Sequence, residues 1–228
     1  MSDKPYDFLI LGDSHTLALM NGAEKLGYRV ATIQFSGAGW HDKRFVIGNN
    51  GFEIRAVPAA KKRLDALRAE LGVKDVFASG LPVLSTVGFH LGRLTAPIGW
   101  NKHRVFQEDL VYEDDQNFMS KSMLRDIVVD GRARHFRLAR RLIRQKVPLT
   151  IVAPPRVARA TNADMSRNIV IEHYRELGVS AYDPQQDIFD KSTGLCPPSY
   201  ILADGHHGST AYGAKVIEKL IKRKLLVL

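Results

Sequence analysis

Short apolar runs that stop at glycine or proline, each followed by a stretch at helical spacing, recur along this chain and limit its fold more than any other feature. Tyr6 to Leu11 is such a run, ending at Gly12, and His15 to Leu26 follows with Leu17, Met20, Ala23 and Leu26 on one side before Gly27. A run of this kind marks a strand buried on both faces, and glycine just past a helix is a common C-terminal cap. The pattern repeats. Arg29 to Phe35 predicts a second strand leading into a glycine loop at Ser36–Gly39, and Val57 to Leu71 predicts a helix with Pro58 in its first turn and Gly72 past its end. Asp75 to Ser79 reads as a third strand, and Leu149 to Ala153 as a fourth, stopped by Pro154 and Pro155. Asn162 to Leu177 is a predicted helix closing at Gly178, Ser180 to Tyr182 a fifth strand, and Ser209 to Lys224 a last helix with Val216, Ile217, Leu220 and Ile221 inward. Strands alternating with helices predict an α/β protein, a parallel sheet covered on both faces and joined by right-handed crossovers.

Leu81 to about Met119 breaks the rhythm, and it is read as an irregular insertion or lid, residues 81–119, over one edge of the sheet. With no repeat or linker, residues 1–228 are expected to form a single domain. The composition, 45% hydrophobic and 25% charged, excludes a disordered chain, a collagen-like repeat and a disulfide scaffold. Cys196 is the one cysteine. No run approaches a membrane span and the N-terminus shows no cleavage-site pattern, so a cytoplasmic protein is the expectation.

The formal net charge is +9, densest from Gly131 to Lys146. At helical period Phe136, Ala139, Leu142 and Ile143 share one side, with Arg134, Arg137, Arg141 and Arg144 opposite. Such a stripe reads first as a solvated outer face. No nucleic-acid motif accompanies it, and nucleic acid is not an expected partner.

In an open parallel sheet the chemistry gathers at the C-terminal ends of the strands. The first loop there is Gly12-Asp13-Ser14-His15. A serine between strand and helix presents its hydroxyl at the sheet edge, beside N–H groups at the positive end of a helix. Asp and Ser are equally favoured as helix caps, so this segment alone leaves capping and catalysis open. The second segment is Asp204-Gly205-His206-His207, ahead of the last helix. A serine hydroxyl needs a base, and an imidazole needs a partner that fixes its tautomer. Asp204 and His207, three apart on a loop, can form that pair; His206 competes for the base role, but the spacing favours His207. Adjacent histidines diverge and no third ligand follows at a telling spacing, so no metal is expected.

Together the two segments resemble the SGNH, or GDSL-like, hydrolase superfamily. That family has a nucleophilic Ser in a Gly-Asp-Ser motif after its first strand and an Asp-x-x-His motif near its C-terminus. The resemblance implies a three-layer α/β/α fold with a five-stranded parallel sheet, flavodoxin-like in arrangement. It implies Ser14 as nucleophile, His207 as base, Asp204 as its orienting acid, and an oxyanion hole from the Ser14 N–H and a glycine N–H after the second strand. Gly37 and Gly39 both fit, with a slight preference for Gly39 because it precedes Trp40. After the third strand the family carries Gly-x-Asn-Asp, whose Asn adds an oxyanion donor. This chain has Gly80-Leu81-Pro82-Val83, with Pro82, which has neither side-chain donor nor N–H, at the Asn position. Asn49, Asn50 and Asn101 are the substitutes considered, each also readable as a turn residue.

Asp13, His15 and Trp40 are candidate substrate-binding residues. Trp40, His90, Trp100 and His103 lie in loops expected near the edge, where aromatic faces could stack on a sugar or simply pack. Cys196 lacks a base partner and reads as structural. The expected activity is a serine esterase acting on a small O-acyl ester, a small-molecule or glycan substrate, with no cofactor. The alternatives are a glycan O-acyltransferase and a non-catalytic module that binds an acidic polymer. Oligomeric state is left open.

Overall fold

β1 (Phe8–Gly12) is buried along its whole length, and its side chains alternate between two separate cores. Leu9 and Leu11 point to one, Phe8 and Ile10 to the other, as the period of two of a strand requires. In this computed structural model, which describes residues 5–42, 44–48, 51–90, 103–105, 117–158 and 161–228, β1 is flanked by parallel partners on both sides. They are β2 (Val30–Gln34) and, after the hairpin strands β3 (Phe45–Gly48) and β4 (Gly51–Ile54), β5 (Val83–Ser85). The small parallel pair β6 (His103–Val105) and β7 (Asn117–Met119) precedes β8 (Leu149–Val152) and β9 (Ser180–Tyr182). The five-stranded sheet runs β2-β1-β5-β8-β9 and is parallel throughout, the flavodoxin-like order.

Helices cover both faces. On the Phe8/Ile10 side lie α1 (Thr16–Lys25), through Ala18, Leu19 and Ala23, and the last helix, through Val216, Ile217 and Leu220. The Leu9/Leu11 side holds α2 (Gly37–His41), α3 (Pro58–Leu71), α4 (Lys121–Asp130), α5 (Ala133–Arg144) and α6 (Thr161–Glu176). The last helix is α7 (Thr210–Lys222). The fold is thus a three-layer α/β/α sandwich. Each fully buried Leu, Ile or Phe in these layers contributes about 1.5–3 kcal/mol, so both faces are strongly held. Pro58 opens α3 and Gly72, at φ 64°, closes it, as expected.

The third strand is not where the sequence suggested. Asp75–Ser79 is a 3-10 turn, because the Asp75 carboxylate accepts from the Phe77 N–H at 3.3 Å and caps a helical start. Gly80, at φ 70°, then reverses the chain. The strand beside β1 is Val83–Ser85, so the expected insertion loses its first residues to the sheet. Of that insertion, residues 91–102 and 106–116 lie outside the described residues, and with them Trp100 and Asn101. The glycine loop at Ser36–Gly39 is also corrected: Ser36 caps the short helix α2, its Oγ accepting from the Gly39 N–H at 3.2 Å.

On α5, Phe136, Ala139 and Leu142 are buried as expected, but Ile143 is 38% exposed and His135 and Leu138 face inward instead. Arg141 is not on a free outer face: it donates to Gly48 O and pairs with Asp75 at 2.9 Å, fastening the helix to the hairpin. No described helix is long and apolar enough to cross a membrane.

Candidate active site

β1 delivers the chain to the sheet edge at Gly12, where Asp13 turns it into α1. Asp13 is 4% exposed and its Oδ1 accepts from the Thr86 hydroxyl at 3.0 Å and the His15 N–H at 3.1 Å. Asp13 therefore braces the loop against the end of β5, although it also borders the cleft beside the serine. Ser14, released from any capping bond to α1, is exposed.

The second segment is drawn shut by an antiparallel bridge between Ile201 and Gly208 and by the Leu202 N–H donating to His207 O at 2.8 Å. Gly205, at φ 73°, makes the turn. Asp204 Oδ1 accepts from the N–H groups of His206 at 2.8 Å and His207 at 2.9 Å, while its Oδ2 meets His207 Nδ1 at 2.8 Å. These N–H groups and the imidazole hold the Asp204 carboxyl well below the usual carboxylate range. His207 Nε2 in turn lies 2.8 Å from Ser14 Oγ, 193 residues away in sequence. Ser14, His207 and Asp204 thus form one hydrogen-bonded line. The competing His206 turns away from Asp204's second oxygen and stands exposed at the cleft.

Ser14 opens onto a cleft of about 690 Å³ between the ends of the strands. Gly37 and His90, packed against each other, line it together with Pro155, Arg156 and Arg167. Arg167 is nearly buried beneath it, donating to Pro154 O at 2.7 Å and pairing with Asp183 at 2.7 Å, which ties α6 to the ends of β8 and β9. Arg156 is ion-paired with Asp164. His15 lies at the cleft with its ring 4.9 Å from that of His207, and burial lowers its imidazole below the ordinary value against the pull of Asp13.

The two glycines separate. Gly39 has its N–H committed to the Ser36 cap and does not border the cleft. Gly37 does, and among the described residues neither its N–H nor that of Ser14 meets an acceptor. The preference for Gly39 is therefore reversed. Trp40 is also corrected as a ligand contact: it is 1% exposed and stacks on Phe35 at 4.0 Å, with Phe45 and Phe52 beside it. Its indole belongs to the core. Asn49 and Asn50 lie outside the described residues, and His103 falls in β6. Cys196 is buried, and burial pushes its thiol up to about 12. Among the described residues no three His, Cys, Asp or Glu side chains are grouped as metal ligands.

Sequence reasoning passed over Arg156, Asp164 and Arg167. Arg156 had a signal, since it follows the Pro154-Pro155 stop of the fourth strand and so had to sit at the sheet edge. Asp164 and Arg167 lie within a charged helix and had none.

Fold and site define an α/β protein of flavodoxin-like strand order with a Ser-His-Asp line at the C-terminal edge of its sheet. Among solved structures, the chain is similar to a GDSL-like lipase from Bacteroides thetaiotaomicron, with 13% identity, 99% of this chain and 90% of that chain covered, and a TM-score of 0.49. A lipase/acylhydrolase from Enterococcus faecalis shows 14% identity over 94% of this chain and 95% of that chain, with a TM-score of 0.44. A psychrotrophic esterase from Pseudoalteromonas sp. shows 14% identity over 96% and 97% of the two chains, with a TM-score of 0.42. At such identity and similarity the chemistry has to be read from the site itself. No family model and no curated protein matches the chain.

Proposed function

We propose that this protein is a serine ester hydrolase in which Ser14 attacks the acyl carbon, His207 moves the proton and Asp204 orients the imidazole. One observation carries the reading: the unbroken line from Asp204 Oδ2 through His207 to Ser14 Oγ, 2.8 Å at each step. His207 Nε2 accepts the Ser14 proton as Oγ bonds to the ester carbon, and the carbonyl π pair moves onto oxygen. Asp204 accepts the Nδ1–H and stabilises the imidazolium. In this reading the N–H groups of Ser14 and Gly37, two residues that border the cleft, donate to the new oxyanion. Collapse expels the alcohol with the proton from His207, and water, activated by the same histidine, then releases the acid.

The substrate in this reading is a small O-acyl ester. A carbohydrate alcohol is its finer part, supported by the hydrogen-bonding side chains of Arg156, Asp164 and His206 around an open cleft. A second alcohol in place of water would make the same site an acyltransferase. The remaining parts of the reading are one domain across residues 1–228 and a cytoplasmic setting, the latter supported by a composition with a single cysteine. The polyanion-binding alternative loses one arginine of the basic helix, since Arg141 is engaged by Asp75 and Gly48.

The test is intact-mass labelling with a fluorophosphonate, comparing wild type with Ser14→Ala and His207→Ala. One adduct on wild type, absent from both variants, is the expected result. A folded wild-type protein that takes up no label would overturn the reading.

A further inference from the structure

The loop after β5 is pinned residue by residue. Thr86 bonds Asp13, the Tyr174 hydroxyl donates to Val87 O at 3.1 Å, and Arg132 Nε donates to Gly88 O. Tyr174 and Arg132 are both essentially buried, so these anchors are shielded from water. The loop ends by placing the His90 ring on Gly37: a Cβ on that glycine would lie 2.6 Å from His90 Nδ1 and 2.7 Å from Cγ. Side-chain-free backbone at residue 37 is what lets the imidazole lie alongside it. Both residues border the same cleft as Ser14. Among the described residues, no hydrogen bond engages either ring nitrogen of His90.

Several other polar groups of the cleft are engaged elsewhere or of the wrong kind. Arg156 pairs with Asp164 and Arg167 with Asp183. Asp13 and Asp164 as carboxylates only accept, and would repel a developing anion. His15 lies on the base side, against the His207 ring, and the His206 backbone is tied to Asp204. Among the described histidines of the cleft, His90 is the one packed against Gly37.

We propose that His90 supplies a side-chain N–H to the oxyanion, beside the N–H groups of Gly37 and Ser14. This rests on the serine ester hydrolase reading. An imidazole carries at least one ring N–H to donate. As Ser14 Oγ bonds to carbon and the carbonyl pair moves to oxygen, that N–H meets a full negative charge, and the bond strengthens in the transition state over the ground state. The N–H is donated and not transferred; the proton of Ser14 still goes to His207.

The experiment measures the second-order rate of fluorophosphonate labelling at Ser14 together with kcat and KM for p-nitrophenyl acetate. It compares wild type, His90→Ala, His90→Gln and His90→Asn. Loss of one such donor lowers rate by about 10²–10³, so His90→Ala should fall by that factor in kcat and in labelling rate, with KM nearly unchanged. The better of the two amide variants should recover at least about tenfold over alanine, because an amide N–H can stand near a ring nitrogen position. A His90→Ala rate within threefold of wild type, a loss confined to KM, or amide variants no better than alanine would overturn the role of His90 while leaving Ser14 as nucleophile. Wild type that takes no label at Ser14 would overturn both.

Discussion

Gly213 packs so closely on Ala18 that a Cβ built on it would lie 1.6 Å from the Ala18 carbonyl oxygen. The facing position, Gly22, is equally tight: its Cβ would fall 2.1 Å from the Ala214 nitrogen. The two glycines let α1 and α7 cross with their backbones in contact. α1 begins just after Ser14, and α7 just after His207. This crossing therefore fixes how the two halves of the site meet.

Gly213→Ala should be severely destabilising, since the obstacle is backbone and not a yielding side chain. Overpacking in cores costs about 1–3 kcal/mol, and a clash of this depth belongs at or above the upper end. At about 2–4 °C per kcal/mol for a chain of this size, a melting temperature lower by roughly 6–12 °C or more is expected. A variant that melts within 2 °C of wild type would mean that the helices can part freely.

The Asp204 carboxyl gives a pH prediction with a definite sign. Its folded-state pKa is held low by the His206 and His207 N–H groups and the His207 ring. The interactions it makes are therefore fully present above the ordinary carboxylate range, near about 4, and are lost only when pH falls through the lower folded value. In ¹⁵N spectra the His206 and His207 amides should show no carboxylate transition between pH 5 and pH 3.5. A midpoint near 4 at either amide would contradict this. Asp204→Asn should keep the fold and lose about 10²–10⁴ in kcat through a mis-set tautomer.

Arg132 is 1% exposed, and its guanidinium, lowered to about 10 by burial, donates to Gly88 O and, at 3.4 Å, to Val128 O. Arg132→Met removes a costly buried charge as well as those bonds, so the change in global stability should stay within about 2 kcal/mol of zero. Local order should not survive as well. Amide exchange at Val87–His90 is expected to quicken about tenfold, which corresponds to about 1.4 kcal/mol of lost local protection. Unchanged exchange there would remove Arg132 as an anchor of the loop.

Cys196 tests the structural assignment of the lone thiol. It is 5% exposed and its pKa of about 12 leaves a thiolate fraction on the order of 10⁻⁴ at pH 8. Native protein should stay unmodified by iodoacetamide over hours and take up one equivalent on unfolding. Rapid native alkylation would show an open, activated thiol.

Much of this was legible in the chain because the signals were long or paired. β1, α3 and α7 announced themselves by runs of apolar residues with glycine, proline or serine at the ends. Ser14 and the Asp204–His207 pair stood out because each lay where a strand or a helix forced a loop to the sheet edge. The third strand failed for a physical reason. Val83–Ser85 is only three residues long, too short to show a period, whereas the apolar stretch at 76–79 is longer and is bent by a single Asp75 side chain. That slip also misplaced the loop sought for an oxyanion donor: Pro82 precedes the strand, its carbonyl accepting from the Leu9 N–H, and the residues at the edge are Thr86–His90. Trp40 was ambiguous because an aromatic residue beside glycines suits a binding loop and a core equally well. Only the stack on Phe35 decides it.

The division of labour within Asp204 has a consequence for how the site comes into being. One oxygen gathers the backbone of the turn and the other takes the imidazole, so closing four residues of loop and selecting an imidazole tautomer are a single event. A chain that forms this turn has its imidazole set against Asp204, and the meeting of α1 with α7 is what then brings Ser14 to it.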